Sequence, residues 1–298
     1  LTINGLSNGQ LPGALLVGEH LPLEISEEEI SLIRRTLMDA RGFNLDAYKD
    51  NCVRRRIAIR IRATHCQSAR EYCTLLHTHP GEVDLLLKVL TIHVSQFFRN
   101  FSTFEKLHQE IIPYLFTIAR QENLSELKFC SLGCAGGEEP YSLALILADH
   151  FARDMERVPV VIEGIDVDGA ILEAARHGEY TPERLVELPP HYLRRYFTPQ
   201  GGHHLLLPSI REMVRFRQGN IFHDDVYQRC DLLLCRNVLI YFAREQQDKV
   251  IANISRALTP WGVMVLGKSE TILGESRSLF QTVCPVERIY RLPAHVRG

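Results

Sequence analysis

A chain of 298 residues with 45% hydrophobic and 23% charged residues has a globular composition, and its length allows one large domain or one medium and one small. Its formal net charge of -2 gives no electrostatic case for bulk binding to nucleic acid or a membrane surface, so charge has to be read segment by segment. No stretch approaches the roughly 18 to 20 uninterrupted apolar residues that span a bilayer, no secretory pattern opens the chain, and eight irregularly spaced cysteines point to a reducing, cytoplasmic setting.

Residues 1–23 hold Gly5, Gly9, Gly13, Gly18, Pro12 and Pro22 without a sustained period and read as a flexible tail. Ser26 followed by Glu29 forms a capping-box pattern, and Ile30, Ile33 and Leu37 then recur at helical spacing. Further helices are expected over 52–62, 71–77 and 83–92, separated by polar turns such as His79-Pro80-Gly81. This gives a helical domain over 24–94. A linker over 95–102 follows, then a second capping-box pattern at Ser102 and Glu105 that opens a helix over 104–119.

From Leu127 onward, apolar strands alternate with helices, as in a parallel sheet with crossover connections. Strands are expected over 128–132, 160–165, 214–218, 231–235, 262–266 and 288–292, with helices such as 141–152 and 245–258 between them. The second domain therefore spans 103–298. Within it a Pro- and Gly-rich interval, about 181–213, breaks the alternation and reads as a small inserted subdomain.

The first of these strands runs into Gly133-Cys-Ala-Gly136-Gly137-Glu138-Glu139-Pro140, a glycine-rich turn opening a helix. Alone, such a turn is also compatible with an ordinary tight connection. A phosphate ligand, however, wants bare amides or a lysine there, whereas Glu138 and Glu139 suit a ligand carrying an ammonium and a sulfonium, as S-adenosylmethionine does. Asp166 ends the second strand, where doubly wound folds accept hydrogen bonds from a ribose diol, and Asp168 fits the N-cap of the next helix. Asn220 and Asn237 follow the third and fourth strands, so polar residues gather at one carboxyl edge of the sheet.

Four segments, Ser95-Gln-Phe-Phe-Arg99, Gly133-Cys-Ala-Gly-Gly-Glu-Glu-Pro-Tyr-Ser142, Gly164-Ile-Asp-Val-Asp168 and Cys235-Arg-Asn-Val-Leu-Ile-Tyr-Phe242, together resemble the CheR chemotaxis receptor methyltransferases. The resemblance covers about residues 24–292. It implies an α/β protein: a small N-terminal helical domain plus a Rossmann-like S-adenosylmethionine methyltransferase domain with an inserted antiparallel β-subdomain. It also places the cofactor contacts on His93, Ser95, Arg99, Glu138, Asp166, Asn220, Ile221, Asn237 and Val238, with Glu138 on the methionine ammonium and Asp166 on the ribose. The sequence departs from the family at His93 (usually Asn), Ser95 (usually Thr) and Gly136 (usually Thr or Ser), which puts those contacts in question. The stretch 197–216 is a few residues shorter than in members whose subdomain docks a receptor's C-terminal pentapeptide, which implies a member without that tether.

The implied reaction transfers a methyl group to glutamate side chains on the cytoplasmic helices of chemotaxis receptors, leaving S-adenosylhomocysteine. A glutamate is ionised near neutral pH, so no general base is needed, and catalysis rests on aligning and desolvating the carboxylate. Arg99 is the candidate for gripping it, with a structural ion pair as the rival reading, and Tyr241 is the candidate opposite, with a packed aromatic as its rival. Arg54, Arg55, Arg56, Arg60 and Arg62 lie in a 20-residue run without an acid and read as a docking face for an acidic partner. No aromatic residues interleave them as a single-strand RNA platform would want. Two rivals remain: a methyltransferase acting on nucleic acid or a small molecule, against which Asn237-Val-Leu-Ile-Tyr241 lacks an Asn-Pro-Pro-aromatic signature, and a cofactor-binding module without transfer activity. Neither Cys130 with Cys134 nor His203-His204 suggests a complete four-ligand metal site.

Overall fold

The computed structural model describes residues 24–91 and 94–293, so the tail expected over 1–23 and the contact expected at His93 lie outside the described residues. The N-terminal unit packs α1 (Glu27–Arg41), α2 (Asp50–Ala63), α3 (Ala69–Thr78) and α4 (Pro80–Leu90) around Ile30, Ile33, Leu37, Ile57, Ile61, Tyr72 and Leu86, all buried. The capping box forms: Ser26 Oγ accepts from the Glu29 amide, and the Glu29 carboxylate accepts from the Ser26 amide at 2.8 Å. The expected turn at His79-Pro80-Gly81 is instead the first turn of α4. Proline is tolerated there because a first-turn N–H has no intrahelical partner to lose.

The second capping box is absent. Asn100, in the left-handed region at φ +61°, precedes α5 (Phe101–Lys106), so Ser102 is already inside the helix and its hydroxyl accepts instead from Lys268 Nζ at 2.8 Å. A π turn (Leu107–Ile111) joins α5 to α6 (Ile112–Gln121).

The chain then runs β1 (Leu127–Leu132), α7 (Glu138–His150), α8 (Ala152–Met155), β2 (Val160–Asp166) and α9 (Gly169–His177). An insert follows, made of β3 (Glu179–Tyr180), α10 (Pro190–Tyr196), β4 (Phe197–Gln200), β5 (His203–Leu206) and α11 (Pro208–Arg211). The main sheet resumes with β6 (Val214–Gln218), β7 (Cys230–Cys235), α12 (Arg244–Ala257), β8 (Leu258–Leu266), β9 (Gln281–Cys284) and β10 (Ile289–Arg291). Its order is β6-β2-β1-β7-β8-β10-β9, parallel up to β8 and antiparallel at β10 and β9, while β3-β5-β4 form a separate antiparallel sheet. Every residue of β7 is buried, as expected of a strand covered on both faces. Strands β3, β4, β5 and β9 lie outside the strands expected from the sequence, because runs of two to four residues are too short for an alternating pattern to register.

The strand order places β1 between β2 and β7, so successive connections leave β1 in opposite directions and open a crevice at the carboxyl ends. The helical unit is clipped beside that crevice. Tyr48 stacks on Phe43 and meets Phe242 and Phe222 edge-on, while the Lys49 amide donates to the Tyr241 carbonyl at 2.8 Å and the Ala243 amide to the Ala47 carbonyl at 2.9 Å.

Candidate active site

The crevice floor is the turn after β1. Its first residue, Gly133, has φ +69°, and a Cβ there would stand 2.5 Å from Val238 Cγ2, so only glycine lets this turn lie against the loop after β7. The amides of Gly133 and Cys134 both donate to the Ile165 carbonyl, tying the turn to the end of β2. There Asp166 is buried and lines the crevice; its Oδ2 accepts from the Ala135 amide at 2.9 Å and its Oδ1 from the Asp168 amide at 3.1 Å. Asp168 caps α9 as expected, accepting from the Ala170 amide.

Ser95, Arg99, Asn220, Ile221, Asn237, Val238 and Tyr241 share the same crevice with Asp166. Asn220 bends its own loop by accepting from the Phe222 amide at 3.0 Å. Asn237 adopts φ +60°, and its Oδ1 is buried with no partner among the described residues. A buried carbonyl oxygen left in that condition is costly unless a ligand donor completes it.

The two acids of the turn separate. Adjacent helical residues point about 100° apart, so Glu138 and Glu139 leave the turn in different directions. Glu139 lines the crevice, accepting from Ser131 Oγ at 2.8 Å and Arg236 Nη1 at 3.0 Å. Glu138 is fully buried beneath the turn, ion-paired through Oε1 with Arg184 of the insert, while its Oε2 has no partner among the described residues. The acid expected on the cofactor ammonium is therefore the one that does not line the crevice, although its unpartnered oxygen remains chemically suited to an ammonium.

At the mouth, Arg99 is partly exposed. Its Nη1 donates to the Val94 carbonyl at 2.9 Å, and among the described residues no carboxylate pairs with it. The segment beneath it is fixed: the Phe98 amide donates to Ser142 Oγ, and Arg236 Nη2 donates to the Arg99 carbonyl at 2.7 Å. Tyr241 also lines the crevice, with Arg56 over its ring at 6.0 Å from the centroid.

Three site residues escaped the sequence reading. Tyr48 reaches the crevice from the helical unit, and burial raises its phenol well above the ordinary value. Arg236 stands next to Asn237 in a segment already singled out, yet its side chain is nearly unexposed and points back under the turn. Glu270 sits beneath the loop after β7, its carboxylate accepting from the amides of Asn237 at 2.9 Å, Gly267 at 2.6 Å and Ile240 at 3.3 Å. Burial raises its carboxyl, and those amides pull it part of the way back. No local signal marks Glu270 as a support of that loop, because Asn237 and Ile240 lie 33 and 30 residues away.

The arginine run of α2 is less unbalanced than its sequence implies. Arg54 pairs with Asp50 and Glu27, Arg60 grips the buried Glu82 through two bonds of 2.5 and 2.7 Å, and Arg56 donates to the Val89 carbonyl. Asp50 opens α2 just before the acid-free run, while Glu27 and Glu82 come from α1 and α4, where a linear reading does not place them beside it. Arg55 and Arg62 are exposed and without carboxylate partners among the described residues.

A glycine-rich turn against an acidic, polar crevice at the carboxyl ends of parallel strands is the site of an S-adenosylmethionine-dependent methyltransferase. Residues 93–287 match the family described as CheR methyltransferase, SAM binding domain, and residues 28–91 match its all-alpha domain. The chain is 32% identical over 269 residues to chemotaxis protein methyltransferase 2 of Pseudomonas aeruginosa, covering 87% of this chain and 92% of that one. It is 31% identical to the chemotaxis protein methyltransferase of Listeria innocua, covering 83% and 91%. A 104.1 kDa uncharacterized protein of Rhodobacter capsulatus is 33% identical over 226 residues, 76% of this chain but only 24% of that protein. The chain belongs to the CheR methyltransferase family.

Glu270 offers a direct check on how the loop after β7 is held. Glu270→Gln places an amide among backbone donors, and the expected result is a loss of about 1.4 kcal/mol, or roughly tenfold, in S-adenosylhomocysteine affinity by calorimetry. Unchanged affinity would mean that the loop keeps its shape without the carboxylate.

Proposed function

We propose that this methyltransferase esterifies glutamate side chains on the cytoplasmic helices of chemotaxis receptors. The observation that carries the reading is Arg99: a partly exposed guanidinium lining the crevice together with Tyr241, with no carboxylate of its own among the described residues. An arginine fork matches an acceptor carboxylate bidentately, which a neutral acceptor would not need.

Asp166, Asn237 and the acids of the turn are the residues that would hold the cofactor, and the unpartnered oxygens of Asn237 and Glu138 fit its donors. When bound, S-adenosylmethionine supplies an electrophilic methyl group on a sulfonium. The chain's own part is to strip water from the glutamate and align it. No imidazole lines the crevice among the described residues, and none is called for, since the acceptor is already ionised near neutral pH.

Arg55 and Arg62 on α2 are the residues left to meet a Glu-rich receptor helix, with Arg56 bridging from α2 to Tyr241. Their support is charge complementarity alone. In the insert, β4 and β5 pair Gln200 with His203 across Gly201-Gly202, a minimal hairpin that supports methylation without a C-terminal pentapeptide tether. A cytoplasmic location belongs to the same proposal; no helix among the described residues is long and apolar enough to cross a membrane.

The test is transfer of tritiated methyl groups to receptor cytoplasmic fragments. Base-labile label is expected on fragments carrying the methylation glutamates, at equal rates with or without the last five residues, and none once those glutamates are alanine. Label on RNA but not on receptor would reject the proposal.

A further inference from the structure

Away from the crevice, the C-terminal end of α7 meets α10 of the insert, and Asp149, His150 and His191 bring three metal-ligating atoms within 4.8 Å of one another. Asp149 Oδ2 stands 3.5 Å from His150 Nε2 and 3.9 Å from His191 Nε2. A tetrahedral zinc ion with bonds of about 2.0 to 2.2 Å spaces its ligand atoms by roughly 3.3 to 3.6 Å, so small side-chain rotations close the set.

The surroundings hold these groups in place. Asp149 Oδ1 takes Arg195 Nη1 and, at 3.0 Å, the Tyr196 hydroxyl, which leaves Oδ2 as the oxygen near the two imidazoles. His150 is stacked on His108 with ring centroids 4.1 Å apart, and its Nε2 lies 3.1 Å from the hydroxyl of the buried Tyr192. His191 packs against the Tyr192 ring at 4.1 Å. Arg195 and Tyr196, which bond the other oxygen of Asp149, are partners that orient a ligand without touching the ion, a regular part of built metal sites, whereas the Tyr192 hydroxyl shares His150 Nε2 and gives that nitrogen up when the ion binds.

We propose that Asp149, His150 and His191 form a binding site for a borderline divalent transition ion, zinc by preference, with an open position for water, clamping the insert to the end of α7. Two imidazoles and one carboxylate suit zinc, cobalt or nickel; magnesium and calcium want oxygen ligands throughout. The site lies on the helix that begins at the glycine-rich turn but is remote from the crevice, so it neither depends on the proposed acceptor nor takes part in methyl transfer.

The full chain is titrated with zinc chloride by calorimetry and with cobalt chloride by absorption spectroscopy. One equivalent is expected to bind at low micromolar Kd, at least tenfold weaker in His191→Ala and in Asp149→Asn, with a cobalt spectrum free of a thiolate charge-transfer band. Zinc at about a hundredfold excess over Kd should raise the melting temperature of the original chain by on the order of 3 °C and leave that of His150→Ala/His191→Ala unmoved. Both histidines are exposed, so these variants should fold, and His191→Gln is the check if one does not. Equal zinc affinity in the original and double-variant proteins, or a thiolate band showing that the cysteines hold the ion, overturns the proposal. So does an absence of binding in all of them.

Discussion

Asp166→Asn is expected to reduce affinity for S-adenosylhomocysteine by about 3 kcal/mol, roughly a hundredfold in Kd, with little change in melting temperature. The carboxylate is buried at the end of β2, where the Ala135 and Asp168 amides orient it, and a ribose diol donating to it would make charge-assisted hydrogen bonds. Asparagine keeps the shape but loses the charge and turns one acceptor into a donor. Calorimetry with the product as ligand measures the effect without any need for an acceptor. A change of less than threefold would show that the ribose does not rest on Asp166. A collapse of the fold would instead mark its two amide contacts as the larger role, and Asp166→Glu, which retains the charge, separates these outcomes.

Arg236→Met should have the largest effect on stability, a loss of about 3 to 5 kcal/mol. Arg236 is nearly unexposed and donates to the Glu139 carboxylate, the Arg99 carbonyl and Asn100 Oδ1, with its guanidinium 5.3 Å from the centre of the Phe104 ring. Methionine fills much of the volume but leaves Glu139 charged and largely buried, with Ser131 as its remaining side-chain partner among the described residues. The loss should appear in urea denaturation followed by the fluorescence of Trp261, the single tryptophan, whose indole bonds to Asp231 next to β1 and so reports on the sheet. Adding Glu139→Gln should restore part of the loss, because a buried neutral pair carries less desolvation cost than an unpaired charge. A loss below 1 kcal/mol would show that the turn and the 97–100 segment are held by something else.

These two residues also mark how far a linear reading reaches. The place of Asp166 in the crevice was legible because a parallel strand ending in an acid is a local pattern. The role of Arg236 was not, though it is the immediate neighbour of a residue that was named: what a side chain reaches depends on segments that the fold brings under it. The same distinction explains Glu138 and Glu139, whose presence at a helix start is visible in the sequence and whose division of labour is set by the direction each leaves the helix. It also explains α2, where an acid-free run of arginines is partly neutralised by Glu27 and Glu82 of neighbouring helices.

What this chain's sequence determined by itself was the alternation of strands and helices, the cap of the first helix, the glycine-rich turn and the family to which its motifs belong. Each depends on residues within a few positions of one another, where backbone sterics and hydrogen-bond reach act directly. The tertiary structure alone decided which acid lines the crevice, that Arg99 has no carboxylate partner in the described structure while Arg60 does, and that Glu270 supports a loop about 30 residues away. Those outcomes depend on which side chains share a buried volume. There, unpaired charge is costly enough that distant partners are drawn together, and no short-range pattern in the chain records the pairing.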